Sequence, residues 1–216
     1  ILILQSGLVL SFFSCVEKSA IPATIQGEIA EKAMVVSARD EASAIGLAII
    51  QQGGNAFDAM MATELALAVT YPFAGNLGGG GFMVYRMADG IVGSIDYREK
   101  APGAATRDMY LDPDGNVIPG LSTQGVMASG VPGTIAGIFE AQAKFGKLNP
   151  EDIIRPVIEL AKQGFVITPR QAERLERLRE TFIEITGEST FYVKAYKAAD
   201  TVKNISLAKT LSRIAS

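Results

Sequence analysis

The chain has 216 residues, 48% hydrophobic and 20% charged, with a formal net charge of −3; this fits one domain with a sizeable core, or two small ones, and argues against disorder. The small net charge and the lack of a Lys/Arg-dense segment argue against sequence-independent nucleic-acid binding, which needs many cations to displace condensed counterions. There is no histidine and only one cysteine, which excludes Ser-His-Asp and Cys-His catalysis, His-ligated metals, disulfides within the chain and CxxC redox motifs.

Ile1 to Ser14 is uncharged and mostly apolar. It is short of the ~20 residues of a spanning helix and suits the apolar region of a secretory signal, with neither a basic segment nor an initiator Met before it. Cys15 follows directly. That is where a bacterial lipoprotein carries its lipidated cysteine, although Phe12 stands where Leu is usual. The other reading is an ordinary signal with an incidental cysteine. A reactive thiol would need cationic surroundings that the apolar run lacks. The expected organisation is a truncated signal over 1–15, a small, polar linker over 16–32, and a folded body over 33–216.

Helical spacing of Ala44, Leu47, Ala48 and Ile50 predicts a helix over 40–52, and Gly53-Gly54 offers the left-handed geometry that ends one. Asn55 then caps a second helix over 56–70, with Asp58 near its positive end and a surface rich in Ala and Met that lets a neighbour approach closely. Gly78–Gly81 leads into the apolar run Phe82–Tyr85, a turn at Ala88-Asp89-Gly90 and a β-prone run at 91–97, which reads as a hairpin buried on both faces. Residues 101–125 read as a long loop with a turn at Pro113–Asn116. A short strand near 126–129 precedes a helix at about 133–145. Asn149-Pro150 starts another helix that Pro156 must kink or split. Thr168-Pro169 caps a helix over 169–183, and a last helix covers about 206–215. The order of elements predicts an α/β (α+β) layered fold whose sheet needs more strands than are visible, so the chain is expected to stop before the fold is complete.

Few residues stand out as chemistry. The run AGNLGGGGFM (74–83) lacks the Lys-Ser/Thr of a phosphate loop and leads into a strand, so its glycines read as a close backbone approach. Arg98, at the end of the second hairpin strand, carries a planar fork suited to a substrate carboxylate; a local ion pair with Asp96 or Glu99 is the competing reading. Arg39-Asp40-Glu41, Arg107-Asp108 and Asp112/Asp114 are further charge clusters. A calcium loop at Asp112–Asn116 lacks the following bidentate Glu, and turn chemistry explains it better. Ser129 is not set in a nucleophile elbow.

The segments GGNAFDAMMATELALAVTYP (53–72), NLGGGGFMVYR (76–86), DYREKAPGAATRDMYLD (96–112), ASGVPGTIAG (128–137) and PVIELAKQGF (156–165) closely resemble γ-glutamyltransferases and occur in the family's order. LAKTLSRIAS (207–216) resembles a later part of the same large subunit. The resemblance covers roughly 33–216. It implies part of an αββα sandwich of the N-terminal-nucleophile hydrolase type, made as a precursor that cleaves itself to free a threonine. That threonine, whose α-amine serves as base, passes a γ-glutamyl group from glutathione-like donors to water or to amino-acid and peptide amines. Arg98 matches the arginine that grips the α-carboxylate of the donor. No cofactor or metal is implied. The nucleophile belongs to a small subunit from the same precursor, and Thr123, Thr134 and the other threonines here match no nucleophile motif. The resemblance therefore implies no catalytic residue in this stretch, while the apolar run and Cys15 before it lead to the expectation of an exported protein, periplasmic or anchored through a lipid on Cys15. A related acylase that takes glutaryl donors, and a non-catalytic lipoprotein module on the same scaffold, are the competing expectations.

Overall fold

A computed structural model describes residues 27–187 and 190–216. The expected signal over 1–15, Cys15 and most of the linker lie outside the described residues. The chain divides into two compact units, Ile1–Lys32 and Ala33–Ser216. Of the first, residues 27–32 are exposed and form neither helix nor strand.

The second unit is built on helices α1 (Asp40–Gln51) and α2 (Ala56–Thr70), and their boundaries follow local chemistry. Gly53 adopts φ 98° and its N–H reaches Ile50 O, closing α1 in the left-handed geometry that glycine allows. Asn55 Oδ1 accepts from the N–H groups of Phe57 and Asp58, and Asp58 Oδ2 accepts from Asn55 N at 2.9 Å, a complete capping box. Buried residues lie all round α2, from Phe57 to Thr70. A helix apolar on every side belongs in the middle, and α2 packs against α1, against α3 (Thr134–Phe145) and against α4 (Pro150–Gln163). The close approach foreseen for its small-residue surface occurs at Gly46 of α1, where an added Cβ would run into Thr63 Oγ1.

Asn149 caps α4, and Thr168 with Gln171 forms a second capping box at α5 (Pro169–Thr186), which runs past the expected end at 183. Helix α6 (Ile205–Ala215) packs on α4. The core joins Ile49, Met61, Leu65, Ile138, Ile153, Val157 and Leu211, all at 0% exposure. Burying each such side chain contributes about 1.5–3 kcal/mol.

Two expectations need correction, and a third is narrowed. Of a kink or a split at Pro156, the split does not occur, since α4 is continuous over Pro150–Gln163. The missing N–H costs one bond in the middle of the helix, while the fully buried Ile153, Ile154 and Val157 pin the turns on either side. The expected strand near 126–129 is a 3₁₀ turn at Val126–Ala128, entered through Gly125 at φ 76° and closed by bonds within the turn itself; only Val131 bridges, antiparallel to Lys100. The hairpin exists, with β1 (Phe82–Arg86) paired antiparallel to β2 (Val92–Asp96), but it is covered on one face only. Tyr85 packs against Phe57 and Phe145, whereas Phe82, Val84 and Val92 are 69%, 80% and 68% exposed. Two strands backed by helices on one side leave the other side open, and a run apolar at every position carries no alternation to reveal this. A further two-residue ladder, β3 (Phe165–Val166) with β4 (Thr201–Val202), was too short to announce itself. Among the described residues, no helix is long and apolar enough to cross a membrane.

Candidate active-site arginine

Beyond β2 the ladder continues for one more pair, Tyr97 N donating to Gly81 O at 2.9 Å and Gly81 N to Tyr97 O at 3.3 Å. The chain then passes through a slot whose walls are glycines. A Cβ at Gly80 would lie 2.8 Å from Arg98 Cα and 2.7 Å from Glu99 N. On the opposite wall, a Cβ at Gly133 would collide with the Tyr97 carbonyl oxygen, and one at Gly137 with the Tyr97 ring. Lys100 and Val131 exchange backbone bonds of 3.1 and 2.8 Å just beyond. The glycine run thus makes the close backbone approach expected of it, and what it approaches is Tyr97–Arg98. Gly133→Ala is expected to destabilise the fold by about 1–3 kcal/mol through overpacking, since its φ of −113° suits alanine and only space is lacking; a lowered melting temperature checks this.

Held this way, Arg98 projects its side chain, 63% exposed, at an open groove of about 370 Å³ shared with Tyr97, Lys100, Pro132 and Glu140. The local ion-pair reading of Arg98 has a counterpart in Glu99. The Arg98 Nε donates to Glu99 Oε2 at 3.2 Å, whereas Asp96 is occupied by the Arg98 main-chain N–H at 3.0 Å. An exposed ion pair of this kind holds weakly, because water screens it and both long side chains lose freedom in making it. The two Nη groups make no hydrogen bond among the described residues, so the fork remains available to an incoming carboxylate. Glu99 stays ionised readily, because its own main-chain N–H, then the Arg98 guanidinium, hold its carboxyl below the ordinary value.

The remaining charge clusters are structural. Arg39, its side chain only 10% exposed, binds Glu41 through Nε and Nη2, Gln171 Oε1 through Nη1 at 2.8 Å and Val166 O at 3.1 Å, tying the start of α1 to the start of α5. Arg107 and Asp108 meet on the surface at 3.4 Å. Asp112 accepts from the main-chain N–H groups of Asp114 and Asn116 at 2.9 and 2.8 Å, the turn chemistry expected there. Ser129 donates its N–H to Val126 O in the 3₁₀ turn.

Sequence reasoning passed over two groups near the slot. Tyr97 stacks its ring between Gly81 and Gly137, and burial followed by the charge of Glu64 pushes its phenol above the ordinary value. Glu64 itself lies in a groove between α2 and the extended segment Met34–Ser37, and burial lifts its carboxyl above 4.5. A raised folded-state pKa stabilises the protonated form, so that stabilisation is complete below the ordinary value and is lost as pH rises through the folded one. Glu64→Gln is therefore expected to stabilise the protein at about pH 7 and to have little effect at about pH 3, which thermal unfolding at the two pH values checks.

Residues 42–216 match the sequence profile of the Gamma-glutamyltranspeptidase family. The chain belongs to this family. A glutathione hydrolase proenzyme of Pseudomonas aeruginosa is 44% identical over 200 residues, 91% of this chain and 34% of the relative. The crystal structure of Helicobacter pylori gamma-glutamyltranspeptidase superposes with a TM-score of 0.81 at 40% identity, covering 88% of this chain and 56% of that one. An acylase proenzyme of a Pseudomonas species, ACY 1, is 39% identical over 163 residues, 73% of this chain and 28% of the relative. The chain thus spans about a third of the length of the curated relatives it matches. The mixed α+β architecture described above is shared with the gamma-glutamyltranspeptidase structure over the part the two have in common.

Proposed function

We propose that this chain is the Arg98-bearing part of a γ-glutamyltransferase or glutathione hydrolase precursor, and that Arg98 binds the α-carboxylate of the γ-glutamyl donor. One observation carries the reading: a guanidinium whose Nη groups make no hydrogen bond among the described residues, on a backbone held at the end of a strand by glycines that cannot be enlarged, faces an open groove. The nucleophilic threonine is supplied by the part of the relatives' length that this chain does not span. Its hydroxyl attacks the γ-carbonyl and forms an ester as the amine of the donor leaves. Water or an amino-acid amine then takes the acyl group and returns the hydroxyl proton. The open face of the hairpin, with Phe82, Val84 and Val92 exposed, suits cover by the small subunit of the same precursor. Export, with Cys15 lipidated, belongs to the same proposal; mass spectrometry of the mature N-terminus tests it.

The experiment is Arg98→Lys in the full precursor. Lysine keeps the charge and loses the fork, so KM for γ-glutamyl donors is expected to rise while self-cleavage proceeds as before. The relationship to the ACY 1 acylase supports a second reading, a related acylase, whose donor we take to be a glutaryl amide. Glutaryl and γ-glutamyl groups share the terminal carboxylate that Arg98 would hold and differ only in the amino group. Turnover of the two anilides by the processed enzyme separates them.

A further inference from the structure

Asn76 lies in the loop before β1, and its side-chain oxygen accepts two hydrogen bonds: from Gly79 N at 2.7 Å, within the loop, and from Thr134 Oγ1 at 2.8 Å, on the first residue of α3. Its amide nitrogen donates to Ala74 O at 3.1 Å. The Gly79 carbonyl in turn accepts from Gly133 N at 2.8 Å and Thr134 N at 3.1 Å, N–H groups at a helix start that have no partner within the helix. Thr134 is fully buried. Two segments more than fifty residues apart are thereby joined at one point, and they are the two walls of the slot: Gly80 follows Gly79, and Gly133 precedes Thr134. The brace sets the separation of the walls, and the walls set where the backbone of Arg98 runs.

We propose that Asn76 and Thr134 are positioning residues for Arg98, holding its guanidinium at the height and angle a bidentate carboxylate contact requires. The inference rests on the reading of Arg98 as the carboxylate grip. Such contacts tolerate displacements of only about 0.5 Å, and neither side chain is needed to complete a helix or a strand. Substrate binding depends on the brace, while the chemistry at the γ-carbonyl does not.

The test uses the processed enzyme with two donors, a γ-glutamyl anilide and a 4-aminobutyryl anilide, which has hydrogen in place of the carboxylate. Thr134→Val and Asn76→Ala are each expected to raise KM for the γ-glutamyl donor roughly 5- to 15-fold, the value of one buried hydrogen bond, with kcat within about twofold. Neither is expected to change kcat/KM for the 4-aminobutyryl donor. Thr134→Ser restores the hydroxyl and with it KM, and neither substitution adds to the effect of Arg98→Ala. Asn76→Ala, in a half-buried loop, keeps the test open should Thr134→Val fold poorly. Equal losses on both donors, or full additivity with Arg98→Ala, would overturn the proposal. Should Arg98→Ala leave the preference between the donors unchanged, the assignment of Arg98 fails, and the brace falls with it for a different and recognisable reason.

Discussion

Arg98→Ala is expected to raise KM for a γ-glutamyl donor roughly 30- to 150-fold, the equivalent of about 2–3 kcal/mol for hydrogen bonds between charged groups, with kcat and self-cleavage close to wild type. The size follows from what the guanidinium has to give up. Its bond to Glu99 is exposed and made through Nε alone, so it competes weakly, and both Nη groups are free to meet the two carboxylate oxygens in plane. The slot adds to this, because a backbone clamped between Gly80 and Gly133 has little freedom of its own left to lose on binding. Arg98→Lys should fall between, since an ammonium attracts the carboxylate as a point charge without matching its shape. An unchanged KM in Arg98→Ala would refute the carboxylate assignment. A loss in kcat with KM preserved would place Arg98 at the reacting carbonyl instead.

Asp58→Ala is expected to cost the fold about 3–5 kcal/mol, a large fraction of the 5–15 kcal/mol typical of a domain. Asp58 has no exposed surface. Its carboxylate accepts from Asn55 N at 2.9 Å, from Lys147 N at 3.0 Å on both oxygens, and from Leu148 N and Gln142 Nε2 at 3.4 Å. One side chain therefore starts α2, holds the connection between α3 and α4 and fills the space beside Gly146, where an added Cβ would lie 2.5 Å from Oδ1. Alanine leaves those donors buried without partners and opens a cavity. Asp58→Asn keeps the shape and one acceptor oxygen but turns an NH2 towards donors, so its cost is expected to be smaller yet well above that of a surface change. Chemical unfolding of the precursor and its variants measures both. A loss below about 1 kcal/mol for Asp58→Ala would show that water replaces the carboxylate without penalty.

Asp58 also marks how far the amino-acid sequence can be read. Its place in the capping box is legible, because Asn55 and Asp58 are three residues apart and the chemistry is local; its hold on Lys147 and Leu148 is not, because nothing near residue 58 announces residues 147 and 148. Arg98 divides in the same way. Its residue type and place after a strand, with the family resemblance of NLGGGGFM and YREKAP, brought it forward. The glycine slot and the Asn76–Thr134 brace exist only in the folded chain, which brings residues 76–80, 97–99 and 133–137 together.

Helix starts and stops were written in the chain itself, in Asn55, Gly53, Asn149-Pro150 and Thr168-Pro169, since each satisfies main-chain groups within three or four residues of itself. So was membership of the family. Tertiary structure alone decided that the hairpin is covered on one face, that α4 carries Pro156 unbroken, and that Arg39 and Glu41 lock helices rather than do chemistry. These outcomes depend on which distant surface happens to be opposite. Burial, steric collision with a glycine and the satisfaction of a buried donor are properties of a pair of segments, and one segment's residues do not contain them.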